Sequence, residues 1–165
     1  MKQRISLASR LSEVLLDGTW IANTNFRAQL LSLNYEQATR KVGNLNTIAA
    51  LTFHINYYLD GILNVFRGGG LEIHDQFSFD VPEISSEAEW RGMVDTFIAS
   101  SEAFVQAVQS LPAEILDKGF VEEKYGSYLR NIEGVIEHSY YHLGQVTLIK
   151  KIILEQEHPH SGGQG

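Results

Sequence analysis

The chain has 165 residues, a formal net charge of -7, 44% hydrophobic residues and no cysteine. That length fits one domain with enough apolar side chains for a core. The acidic balance, with no local cluster of Lys and Arg, argues against nucleic acid or an anionic membrane as partner, and the missing cysteines exclude a disulfide scaffold, a thiolate zinc site and a cysteine nucleophile.

No uncharged apolar run is long enough to span a bilayer. The basic, partly apolar start is broken by Ser9, Arg10, Ser12 and Glu13, unlike a signal peptide, so a cytoplasmic protein is expected. Leu7, Leu11, Val14 and Leu15 form a first amphipathic stripe, stopped near Asp17-Gly18. The stretch from Gly18 to Phe26 reads as irregular, anchored by Trp20. Asn34 with Gln37 forms a capping box for a short helix through "YEQATRK". Asn44 is placed to cap a long helix whose Leu45, Ile48, Leu51, Ile55, Leu59, Ile62 and Phe66 recur every third or fourth residue until Gly68-Gly69-Gly70. "LEIHDQFSFDVPEIS" alternates like a strand but contains Pro82, and predicts an extended crossover connection. Ser86 and Glu89 form a capping box for a helix carrying Trp90, Met93, Phe97, Phe104 and Val108, which ends before Leu111-Pro112. A short helical turn in "PAEILDKG" follows. The last long helix runs from near Ser127 to about Glu155 on the stripe Leu129, Ile132, Ile136, Leu143, Val146 and Ile153. Four long helices, one long crossing loop and no convincing sheet predict an all-α, four-helix bundle with a long crossover. A single domain over residues 1–157 and a flexible tail over 158–165 are expected.

Six histidines are present, and three of them share a pattern. His138 and His142 lie about 40° apart on one helix, at about 100° per residue, on the shoulder of its apolar stripe. His54 occupies the same kind of shoulder beside Leu51, Ile55 and Tyr58. Two readings fit. The three are core histidines satisfied by hydrogen bonds, or they converge from facing helices as metal ligands. His74 reads as a solvated loop histidine, with a loop that lies over the cleft as the alternative, and His158 and His160 fall in the tail. No carboxylate ligand stands out, since Asp60 and Glu137 project away from the histidine faces. The zincin motif H-E-x-x-H needs Glu after its first histidine, where this chain has Ser139. Gln145 and Asn131 share the histidine face, and Tyr58 lies one turn beyond His54. Each is a candidate partner around the ligands, or a plain helix-surface or packing residue. Tyr57, Tyr58 and Tyr141 are candidate donors to a substrate, or plain aromatic packing residues.

A long helix with one histidine ("LTFHINYYLDGIL"), a glycine-rich break, a middle helix and a final helix with H-x-x-x-H-x-G-Q ("IEHSYYHLGQVTLIKK") resemble the DinB/YfiT-like superfamily over nearly the whole chain. The resemblance implies a four-helix bundle in which His54, His138 and His142 bind one divalent metal. It also implies a transferase acting on small molecules with a low-molecular-weight thiol, or a hydrolase, and a homodimer. Trp20, Trp90 and Phe97 add to the expectation of a dimer as aromatics in excess of what one small bundle buries.

Three histidine ligands leave a coordination position open, the layout of a catalytic site. The position suits an activated water or a thiolate cosubstrate, and the lack of a nearby carboxylate base favours the thiolate. Zinc, nickel and iron all suit three imidazoles. Metal affinity is expected to fall as pH drops through the ordinary histidine range near 6.5. The contrasting expectation is a non-catalytic metal-binding bundle or structural dimer.

Overall fold

Short polar side chains set where the helices begin. Asn25 accepts from the Ala28 N–H, Asn34 from Gln37, Thr47 from Ala50, Ser86 from Glu89 and Ser127 from Arg130. Each satisfies one of the backbone donors that a helix start leaves without a partner. The computed structural model describes residues 2–158. The rest of the expected tail, with His160, lies outside the described residues. Among them are six α-helices: α1 (Lys2–Ser12), α2 (Phe26–Leu31), α3 (Tyr35–Thr39), α4 (Ile48–Phe66), α5 (Glu87–Ser110) and α6 (Tyr128–Glu157). There is no β-strand among the described residues, only an isolated bridge between Gly119 and Ser127.

The long helices pack in a ring. α1 lies on α5, α5 on α4, α4 on α6, and α6 closes back on α1. The expected helical bundle is therefore the observed architecture. Its core is filled by the residues that recur on the apolar stripes, with Leu11, Leu15, Leu51, Ile55, Leu59, Trp90, Phe97, Phe104, Ile132, Ile136, Leu143 and Ile153 all at most 2% exposed. Burying one such aliphatic or Phe side chain contributes about 1.5–3 kcal/mol. The Trp90 indole N–H donates to the Leu33 carbonyl at 3.0 Å, tying α5 to the turn before α3.

Several local expectations are corrected. Thr47, not Asn44, caps α4, and Leu45 is 45% exposed in the turn before it. Trp20 anchors nothing, at 86% exposed. Trp90 and Phe97 are fully buried in this chain's own core, so neither is in excess of what one bundle covers. Only half of the Ser86 box forms, because the Glu89 carboxylate turns to the backbone N–H and hydroxyl of Ser85. The first stripe ends in a π-helical turn, Glu13–Asp17.

The crossover between α4 and α5 forms no strand. It makes one 3-10 turn, Asp75–Phe77, and lies against α4. Gly61 permits this approach, since a Cβ there would come within 2.4 Å of the Ile73 side chain. No helix among the described residues is long and apolar enough to cross a membrane.

Candidate metal centre

The α4–α6 contact brings three imidazoles together. His54 follows the same helical shoulder as the buried Leu51 and Ile55, and His138 and His142 stand one turn apart on α6. His54 and His142 are each 6% exposed and His138 is partly buried. One nitrogen of each ring lies within 4.8 Å of the others. The Nε2 of His138 is 3.1 Å from that of His54 and 2.9 Å from that of His142.

The outer nitrogens are held by acceptors. His54 Nδ1 is 3.3 Å from the Ser78 carbonyl, which only accepts, so Nδ1 carries the proton. His142 Nδ1 donates to the Gln145 Oε1 at 2.6 Å. In the neutral rings, both Nε2 atoms are then lone pairs aimed at His138. A single proton on His138 Nε2 makes a full hydrogen bond to only one of them. The cluster therefore holds more acceptors than protons, and a cation is the natural partner for such a set. A tetrahedral ion with bonds of about 2.0–2.1 Å spaces its ligand atoms about 3.3 Å apart, close to the spacing found.

Burial also keeps the rings neutral. It lowers His54 from 6.5 to about 4, helped by repulsion from His142 and opposed by the Ser78 carbonyl and by Asp75. It lowers His138 to about 4, with His142 and His54 adding to the effect. His142 is lowered by burial as well, against the pull of Gln145. Neutral imidazole is the form that ligates.

Around the triad, Phe79 of the crossover stacks on His54, with centroids 4.0 Å apart and planes at 9°. Tyr58 packs nearly perpendicular to the rings of His54 and His138, and Tyr141 to that of His142. The Tyr58 hydroxyl donates to Asp75 Oδ1 at 2.8 Å, and burial and Asp75 together raise its pKa.

Of the three candidate partners, Gln145 touches a triad histidine through a hydrogen bond, and Tyr58 through ring contact alone. Asn131 does neither. Its amide donates to the Tyr125 and Ser127 carbonyls, both at 2.8 Å, and secures the start of α6. Asp60 bonds Asn56, and Glu137 pairs with Arg130, each away from the cluster. The His74 ring is exposed, while its backbone exchanges hydrogen bonds with the Tyr57 hydroxyl. His158 is exposed at the end of α6. Ser78, Phe79 and Asp75 had no signal in the sequence beyond lying in the crossover connection, for which a path over the cleft was only the alternative reading.

No protein-family model matches the chain, no curated protein matches it, and no solved structure matches it. A helical fold with three histidines gathered between two helices is compatible with the DinB-like arrangement.

Proposed function

We propose that His54, His138 and His142 bind one divalent metal ion through their Nε2 atoms, and that the chain is a DinB-like, metal-dependent transferase acting on small molecules with a low-molecular-weight thiol. The observation that carries the metal reading is the proton count of the cluster, while the transferase assignment rests on the resemblance of the two histidine-bearing helices to the DinB/YfiT-like pattern. Two lone pairs converge on His138, with their Nδ1 protons already committed to Ser78 and Gln145.

A bound divalent ion supplies Lewis-acid chemistry that lowers the pKa of a thiol or of water. The chain's own residues supply the rest. Ser78 and Gln145 fix tautomer and ring orientation, which sharpens ligand basicity. Phe79 keeps water off one face of His54. Asp75 holds the Tyr58 proton beside the ligands. Three neutral imidazoles bring no negative charge, so an ion held by them would favour an anionic partner, a thiolate or a hydroxide. The residues suit zinc, nickel or iron alike.

The test has two steps. Metal content is measured on untagged wild type and on His138→Ala after zinc and nickel are offered. The loaded wild type is then assayed with a panel of electrophiles, with and without a small thiol. Thiol-dependent turnover lost in His138→Ala supports the reading. Equal metal content in the two proteins ends it, and bound metal without turnover leaves a metal-binding bundle.

A further inference from the structure

A cavity of about 450 Å³ opens against His138, between α4 and the start of α6. That is within the range of small-molecule sites. Ile62 and Val135 give it apolar surface, Tyr58 and Tyr125 give it aromatic surface, and Lys124 and Arg130 stand on its lining as its charged groups. Gly134, one turn before His138, carries no side chain to fill the space. In a chain of net charge -7, the pocket beside the triad thus presents two cations.

We propose that this cavity takes a small carboxylate-bearing substrate or thiol, with Lys124 and Arg130 holding the carboxylate. The proposal rests on the reading of the triad as the reactive centre. An arginine fork matches the two oxygens of a carboxylate, and the lysine ammonium adds a second charge. The Lys124 ammonium lies 4.8 Å from the Tyr125 ring centroid, which holds it at the pocket wall.

Two features sharpen the assignment. The first backbone N–H groups of α6 are spoken for, since Tyr128 donates to Lys118, Leu129 to Leu116 and Arg130 to the Ser127 hydroxyl. The Tyr58 proton goes to Asp75. The positive charge that faces an anion here is that of the two cationic side chains. Each has a carboxylate partner outside the cavity lining, Glu122 at 3.1 Å and Glu137 at 3.0 Å. All four side chains are more than half exposed, and such pairs open at little cost when a better-placed anion arrives.

The test is an NMR titration with 3-mercaptopropionate and with its uncharged amide, on zinc-loaded and on metal-free protein, with metal content measured on the same samples. The wild type is expected to bind the acid about tenfold more tightly than the amide. A Lys124→Gln, Arg130→Gln double variant should bind the two alike while taking up zinc as before. Arg130→Lys, which keeps the charge, should retain part of the preference. Should the double variant melt early, the exposed Lys124→Gln change is read alone and should lose part of the preference. Equal affinity for acid and amide in the wild type, or a preference that is undiminished in the folded double variant or in Lys124→Gln, overturns the proposal. Failure of zinc uptake overturns the metal reading instead, and the preference is still read on the metal-free protein.

Discussion

His54 donates from Nδ1 to the carbonyl of Ser78 across 24 residues of chain, at 3.3 Å. This bond links α4 to the crossover and decides which nitrogen faces the other two histidines. A carbonyl cannot donate, so the tautomer of His54 follows from its partner and Nε2 is left as a lone pair. The crossover is thus part of the site's construction, holding a ligand in its ligating form.

The wild type should bind one zinc or nickel ion per chain, and His54→Ala, His138→Ala and His142→Ala should each lose most of it. Two imidazoles on α6 alone leave the set one ligand short of the three used in open catalytic zinc sites. Elemental analysis of untagged protein decides the matter. A variant that keeps full metal content removes its histidine from the ligand set.

Gln145→Leu leaves all three ligands in place but takes the acceptor from His142 Nδ1. Loss of such an outer partner costs about 10–100-fold in metal affinity. Competition with a chelator of known affinity measures the change. An unaltered affinity would mean that Gln145 only decorates the helix.

The bundle and the triad were legible in the sequence because both follow helical periodicity. Leu51, Ile55 and His54 on one helix, and Leu143 and His142 on another, repeat at the spacing that faces a neighbour. Gln145 was legible for the same reason, three residues from His142. Ser78, Phe79 and Asp75 were not, because an irregular crossover has no period from which facing residues can be read, and its path depends on Gly61 admitting Ile73. Asn131 shows the limit of a shared face. It shares the histidine side of α6, yet two backbone carbonyls near the helix start claim its amide first. Trp20 shows another, since residue type alone says nothing about whether a loop folds inward.

Phe97 is fully buried in α5 and packs on Phe26 of α2, with ring centroids 5.3 Å apart. Phe97→Ala removes a ring from a site with no solvent to fill the space, and should cost about 3–5 kcal/mol. Urea unfolding of the metal-free protein measures it. A loss below 1 kcal/mol, on the order of an exposed substitution, would contradict the packing described.

Phe79→Ala should act on chemistry more than on stability. Phe79 is 39% exposed, so its removal opens little core. Its stacking on His54 is worth about 0.5–1.5 kcal/mol beyond burial. Removing it admits water to the imidazole and relieves the burial that holds the ring's pKa down to about 4. The His54 pKa should therefore rise toward 6.5 in a histidine NMR titration. A value unchanged from wild type would show that water is excluded by other groups.

Acid should weaken the metal-free protein through the same histidines. In the unfolded chain they take up protons near 6.5, while in the folded chain His54 and His138 stay neutral down to about 4. Between those values the unfolded state binds more protons, so stability falls as pH falls. The contribution is complete above 6.5, is lost progressively toward 4, and is flat below that. Metal uptake should follow the folded values. Protons compete with an ion for neutral imidazole, and these rings resist protonation, so uptake should persist well below the ordinary histidine range near 6.5 expected from the sequence. Denaturant titrations of metal-free wild type and of a His54→Gln, His138→Gln variant across pH 4–7, beside zinc retention over the same range, test both statements. The variant should lose much of the pH slope. A wild type whose stability is level between 4.5 and 6.5, or which releases half of its zinc near 6.5, would place these imidazoles in water rather than in the interior of the bundle.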